Sequence, residues 1–341
     1  MNDTAPIHSP SARTVSAGPK RVTVRIPARL HFGFLDLNGG LGRQFGSIGL
    51  PISPLRTQLT IRSAPHMDIR GSEADRAGRY LDVMARSLDL RGPWALELEE
   101  AVPAHAGLGS GTQIALGVAA ALRRLHGLPL DVRGDAIRLG RGGRSGVGIG
   151  LFEHGGLVVD GGRGAGPSAA PIISRLHFPE HWRILVVLDS RREGIHGQPE
   201  RAAFAALPPF PAELAAHLCR LVVMKALPAV ADADLGNFAA AIKEMQERLG
   251  DYFAPLQGGA RFTSPAVAAA LEAVELAGAT GVGQSSWGPT GFAFAGSAAE
   301  AARLAEAARA QVRGRDLDIH ICAGLNHGAE FFVHTDDAGN Q

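Results

Sequence analysis

Glycines at positions 107, 109 and 111 alternate with Leu108 and Ser110, and the chain then runs directly into an amphipathic stretch. There Ile114, Val118, Ala121, Leu122 and Leu125 recur at helical spacing, and Gly127 follows as a stop signal. Each glycine costs about 0.5–1 kcal/mol in a regular element relative to Ala, so three together call for a reason. One reason is an anion. The first amides of a helix have no intrahelical partner, the helix dipole adds positive charge, and a glycine loop lets successive N–H groups converge. Ser110 and Thr112 add hydroxyl donors and are candidate caps. The other reading is a glycine-rich turn with an ordinary N-cap. No Walker-type lysine follows the loop, and no dinucleotide fingerprint follows a clear strand.

The rest of the composition narrows the class. At 341 residues, 45% hydrophobic and 20% charged, the chain can bury a large core and form two lobes. A formal net charge of +1 and the lack of a basic–aromatic stripe argue against an RNA-binding module and predict no nucleic-acid partner. The two cysteines, Cys219 and Cys322, form no metal-binding or disulfide pattern, which predicts a reducing, cytoplasmic setting. Residues 1–19, rich in Ser, Ala and Pro, read as a disordered tail, and 336–341 as a second tail. No stretch reads as long and apolar enough to cross a bilayer, so no membrane partner is expected. A homodimer is compatible with the sequence, which leaves the oligomeric state open.

Further candidate residues cluster in glycine-rich segments. Val22, Val24 and Ile26 alternate in a strand ending at Pro27. Arg29, His31 and Asp36 then interrupt an apolar run, either as a buried ion pair or as a substrate-facing cluster. Arg43, on the next glycine loop, suits a phosphate. In the segment 141–162, Arg141, Arg144 and Ser145 are candidate anion contacts. Glu153, His154 and Asp160 suit metal or acid–base work, with a satisfied core histidine as the other reading of His154. Residues 164–171 read as the inter-lobe linker. Past the buried strand 184–188, a charged loop carries His196 and Glu200, as site or as solvated loop. A third glycine loop, 281–291, contains Gln284, Ser285 and Ser286.

Three of these segments, Pro27-Ala28-Arg29, Pro103 to Thr112 and the loop before Phe292, resemble the three motifs of the GHMP kinase superfamily, over roughly residues 20–335. The resemblance implies an α+β fold with a ribosomal-protein-type N-terminal lobe (20–165) and a ferredoxin-like C-terminal lobe (172–335), the ligand lying between them. More narrowly, Arg29-Leu30-His31, Leu35 to Gly39, Leu41-Gly42-Arg43 and Arg144 to Gly162 resemble the β-ribofuranosylaminobenzene 5′-phosphate synthase family of the methanopterin pathway. That family joins phosphoribosyl pyrophosphate (PRPP) to 4-aminobenzoate with loss of pyrophosphate and CO₂.

What this resemblance implies is a set of placements. Gly107, Leu108, Gly109, Ser110, Gly111 and Thr112, with Arg144 and Ser145, would hold the pyrophosphate together with Mg²⁺. Asp36 or His31 would position the arylamine, and Arg29 and Arg43 the carboxylate or the 5′-phosphate. His154, His196, Glu200, Gln284, Ser285 and Ser286 complete the substrate-facing set. An ATP-dependent small-molecule kinase of the same superfamily is the rival. Against it, the segment 145–150 lacks the Asp that GHMP kinases usually carry, Gly111 replaces a serine, and Gln284 to Trp287 stands where kinases have a longer glycine run. The sequence leaves 4-aminobenzoate against 4-hydroxybenzoate open.

Overall fold

The computed structural model describes residues 21–166, 168–194, 197–313 and 316–335. The two predicted tails and His196 lie outside these residues.

The alternation that begins at Val22 continues far beyond Pro27. Strand β1 (Arg21–Asp36) buries Val22, Val24, Ile26, Ala28 and Leu30 in strict succession. Its partner β2 (Phe45–Ser63) runs antiparallel, and the register shifts between Pro27 and Ala28 and again between His31 and Gly33. Pro27 therefore sits at a bulge, where a missing N–H is tolerated, and does not end the strand as its residue type predicts. These irregularities carry Arg29 and His31.

The first lobe continues with β3 (Asp68–Arg70), α1 (Ala74–Ser87), β4 (Trp94–Glu100), α2 (Ser110–Leu125), α3 (Val132–Arg138), α4 (Val147–Glu153), β5 (Leu157–Asp160) and β6 (Ile172–Leu176). Helix α2 is the centre of this lobe and is buried along nearly its whole length. Gly117 lets it approach the sheet: a Cβ there would lie 2.7 Å from Ile26 Cδ1 and 2.9 Å from Leu59 Cδ2. At its far end, Arg123 makes a buried two-pronged ion pair with Asp135 at 2.6 and 2.8 Å, which ties α2 to α3.

The second lobe comprises β7 (Arg183–Leu188), α5 (Gly197–Ala206), α6 (Ala212–Leu221), a π-helical turn (Val222–Ala226), α7 (Leu227–Ala231), α8 (Leu235–Phe253), α9 (Pro265–Leu276), β8 (Val282–Gln284), β9 (Thr290–Ala295), α10 (Ala298–Gln311) and β10 (Asp318–Gly324). Leu185, Val187, Ala293 and Ala295 pack on α9 and α10, and the opposite face packs on α6 and α8. Helix α6, the π turn and α7 form one apolar helix, Ala212–Ala231, long enough to span a bilayer by length and composition. This helix departs from the expectation that no stretch is so long and apolar. Its inner residues Ala215, Leu218, Leu221, Val222 and Ala226 belong to the hydrophobic core.

The lobe boundaries differ from the expected 20–165 and 172–335. Strand β6 pairs with β5, so residues 172–176 belong to the first lobe, and 164–171 do not join the lobes. The final strand β11 (Glu330–His334) returns to pair with the free edge of β1. An uncovered β1 would expose a row of unpaired backbone groups. Strand β10 bridges the lobes through Ala323–Ser53 and Gly324–Ile52, so one strand order, β11-β1-β2-β10-β7-β9-β8, runs through both.

Candidate functional site

The glycine loop sits where the lobes meet. Gly107 and Gly109 take φ of +83° and +89°, a region that side-chain-bearing residues avoid. Helix α2 starts at Ser110 with Gly109 as its N-cap and no side-chain cap, so the predicted capping by Ser110 or Thr112 is not made. The first intrahelical bonds run from the Thr112 and Gln113 amides to the Gly109 carbonyl. The Ser110 and Gly111 amides precede them at the helix entrance, where amides have no intrahelical acceptor. Leu108 contributes only backbone: its side chain is fully buried, and its carbonyl accepts from the Arg29 amide at 3.0 Å and Gln113 Nε2 at 3.1 Å.

The second lobe clamps this loop. Ser285 Oγ donates to the Gly107 carbonyl at 2.7 Å and accepts from the His31 amide at 3.0 Å. Thr290 Oγ1 donates to Ala106 O at 2.6 Å, and the Gly194 amide to His105 O at 2.9 Å. Gly288 lies so close that a Cβ there would strike the Ala106 carbonyl. The late glycine loop thus fixes the shape of the early one, a role that its sequence alone does not reveal.

Between them lies a cleft of about 400 Å³, with Arg29, Arg76, His105, Ser110, Thr112, Arg141, Ser286 and Trp287 in its walls. Beside it, sharing Ser286 and Trp287, is a narrower pocket that includes His31, Phe34, Gln246, Leu249, Phe253 and Arg261. Among the described residues, five buried side-chain polar atoms have no hydrogen-bond partner, and four of them belong to residues that line these two spaces: Arg29 Nε, Arg141 Nε, His31 Nδ1 and Trp287 Nε1. Unpaired buried polar atoms are costly, and their concentration in residues around the two spaces makes these the candidate site.

The electrostatics agree. Burial lowers the Arg29 pKa to about 10, which leaves it charged at neutral pH. Burial, reinforced by nearby Arg76, lowers that of Arg141. Burial and then the Arg29 charge push His31 down to about 3, so its ring is neutral. Arg76 lies 3.0 Å from His105 Nε2 and pairs with Glu73 at 3.2 Å. Among the described residues, no carboxylate lines the cleft, and no cluster of three or more His, Cys, Asp or Glu side chains is suited to a metal.

Several expected site residues are engaged elsewhere. Asp36 Oδ1 accepts from the Asn38 and Gly39 amides in a turn, so it shapes the end of β1. Arg43 is exposed and pinned to the Gly161 and Gly162 carbonyls at 2.7 and 2.6 Å. Arg144 stands 4.8 Å over the Phe204 ring, in a separate aromatic groove with Phe45 and Tyr252. Ser145 bonds Ser47 at 2.6 Å within a network around Asp160. Fully buried Asp160 accepts from Ser47 Oγ at 2.5 Å and from the Gly146 and Gly162 amides at 2.9 Å, which accounts for it structurally. His154 is exposed at the end of α4, 3.7 Å from Glu153. Gln284 bonds Thr263 and Gln257 within the wall of the narrower pocket. Glu200 falls on α5, its side chain outside the described set.

Arg76, His105 and Trp287 were not legible as site residues. Arg76 lies on an amphipathic helix, where an arginine reads as solvent-facing.

Residues 76–155 match the GHMP kinase N-terminal domain and 225–314 the GHMP kinase C-terminal domain. A β-ribofuranosylphenol 5′-phosphate synthase from Archaeoglobus fulgidus is 38% identical over 237 residues, 66% of this chain and 75% of that protein. The chain belongs to the β-ribofuranosylphenol 5′-phosphate synthase family. A synthase of the same name from Methanothermobacter thermautotrophicus is 29% identical over 78% of this chain and 86% of its own.

The chain has the GHMP-type α+β fold. Homoserine kinase from Cytophaga hutchinsonii superposes with a TM-score of 0.64 at 15% identity, covering 96% of this chain and 100% of that one. Mevalonate diphosphate decarboxylase from Staphylococcus aureus does so at 0.63 and 14% identity, covering 92% and 98%. At such identities the likeness is one of fold. Another structure of this fold is a complex with MVAPP, AMPPCP and magnesium.

Proposed function

We propose that this chain is a decarboxylating phosphoribosyltransferase of methanopterin biosynthesis. It joins PRPP to a para-substituted benzoate, 4-aminobenzoate or, as the phenol in the relatives' name suggests, 4-hydroxybenzoate, releasing CO₂ and pyrophosphate. The observation that carries this reading is the cleft: a helix entrance flanked by two arginines with unpaired buried Nε atoms, in a chain of this family.

Pyrophosphate departs from ribose C1 as negative charge grows on its oxygen. The Ser110 and Gly111 amides with Arg29 and Arg141 are placed to stabilise that charge. C1 then takes on oxocarbenium character, as in glycoside chemistry. The ring carbon bearing the carboxylate bonds to C1, and loss of CO₂ restores aromaticity, so no base has to remove a ring proton. The second-lobe clamp limits water at the loop, and placement supplies much of the acceleration. Mg²⁺ bound with the donor would be held by the diphosphate beside the Ser110 and Thr112 hydroxyls and would supply neutralisation of its charge.

The test uses acceptor labelled in its carboxylate. The expected result is PRPP-dependent release of labelled CO₂ with stoichiometric pyrophosphate, and no ADP from ATP with candidate alcohols. ADP formation without gas release would establish the kinase alternative.

A further inference from the structure

PRPP is charged at two ends. It carries a diphosphate on C1 and a phosphate monoester on C5, and the cleft has to hold both. The α2 entrance with Arg29 and Arg141 answers for the first. For the second, Arg43 was expected, but it is bonded to two carbonyls and does not line the cleft. A third arginine does line it.

Arg76 comes from the first turn of α1 and its side chain is mostly buried. Its guanidinium is steadied from two sides, by Glu73 Oε2 at 3.2 Å and by His105 Nε2 at 3.0 Å. An arginine only donates, so this histidine nitrogen is the acceptor. A guanidinium has more N–H groups than these two contacts use, which leaves donors for a ligand. Arg141 lies alongside. It stands 5.2 Å over the ring of Tyr80, one turn along α1 from Arg76, and a Cβ on Gly111 would lie 3.3 Å from its Nη1. Arg141 therefore reaches from α1 to the α2 entrance, and its buried Nε has no hydrogen bond. Burial and then the Arg76 charge lower its pKa, so the two cations feel each other. Glu73 is not among the cleft-lining residues, and among the described residues no carboxylate is. Two cations facing one space without a lining carboxylate are stabilised by an anion that sits against both.

We propose that Arg76 binds the 5′-phosphate of the donor, with Arg141 standing between that phosphate and the diphosphate at the α2 entrance. The assignment rests on the phosphoribosyl-transfer reading and adds the residue that tells a 5′-phosphorylated donor from other diphosphates. The arginine fork suits a phosphate monoester, and a cleft of about 400 Å³ is of the size that takes a small molecule whole. The 5′-phosphate takes no part in bond breaking. Its binding fixes the sugar from the far end and so orients C1.

The experiment uses the two halves of the donor as probes in calorimetry on the intact chain with Mg²⁺. Inorganic pyrophosphate is titrated alone. Ribose 5-phosphate is titrated with pyrophosphate saturating, so that the α2 entrance is already filled. Arg76→Gln keeps a donor for His105 and loses the charge. It should weaken ribose 5-phosphate at least about tenfold and leave pyrophosphate within about twofold. Arg29→Gln should show the reverse pattern, and Arg76→Lys should recover part of the ribose 5-phosphate affinity. Unchanged ribose 5-phosphate affinity in Arg76→Gln, equal losses for both probes, or a wild type that binds pyrophosphate alone overturns the subsite. A wild type that shows the expected pattern yet releases no CO₂ from labelled acceptor overturns the reaction and leaves the subsite standing.

Discussion

Gly109→Ala is the substitution that most directly tests the diphosphate cradle. At φ +89°, any side chain costs about 1–2 kcal/mol of backbone strain. The added Cβ would also lie 2.7 Å from Arg29 Cγ, 3.1 Å from its Nε and 3.4 Å from its Cδ. Arg29 has little room to yield, because its Nε is enclosed and its Nη1 bonds the Gly107 carbonyl at 3.2 Å. The guanidinium is therefore pushed off the line on which it meets an anion. A hydrogen bond to a charged group is worth about 1.5–3 kcal/mol, which corresponds to PRPP binding about 10- to 150-fold weaker. Calorimetric titration of PRPP measures this loss, and thermal unfolding registers the strain as a drop of a few degrees. Arg29→Gln separates the two effects: it should weaken binding to a similar extent without the loss of stability. If Gly109→Ala binds PRPP within about threefold of wild type, the loop does not present its amides and Arg29 to the donor.

Other predictions follow from the same geometry. Arg141→Gln removes a cleft donor whose Nε is unpaired, and PRPP affinity should fall about tenfold in calorimetry. Arg43→Ala and His154→Ala should each leave that affinity within about twofold, because the first side chain is held on two carbonyls and the second is exposed away from the cleft. His31 titrates near pH 6.5 when unfolded and near 3 when folded, so the unfolded chain binds its proton first on acidification. Its contribution is complete above pH 6.5 and is lost as pH falls toward 3, at about 1.4 kcal/mol per unit. Urea unfolding across that window should show this component in wild type and lack it in His31→Phe.

Much of the fold was legible because its signals are local. The alternation at Val22, Val24 and Ile26 and the helical spacing from Ile114 to Leu125 each state which face is buried, whatever else the chain does. The glycine loop was legible for the same reason, since positive φ at Gly107 and Gly109 is a property of those residues. What local pattern misread is what distant segments decide. Pro27 reads as a terminator until β2 supplies a bulge opposite it. Arg43 reads as a phosphate ligand until two carbonyls 118 and 119 positions away take its donors.

By itself, then, the sequence determined the elements, the strained loop and the family motifs, because backbone preference and hydrophobic period are written residue by residue. Only the tertiary structure decided which polar groups are left without partners. Asp36, Ser145 and Asp160 are satisfied by neighbours that folding brings to them, whereas Arg29, His31, Arg141 and Trp287 each keep a buried polar atom without a hydrogen bond. A hydrogen-bond deficit exists only once every competing donor and acceptor has its place, and among the described residues four of five such deficits fall on side chains that line one cleft and the slot beside it.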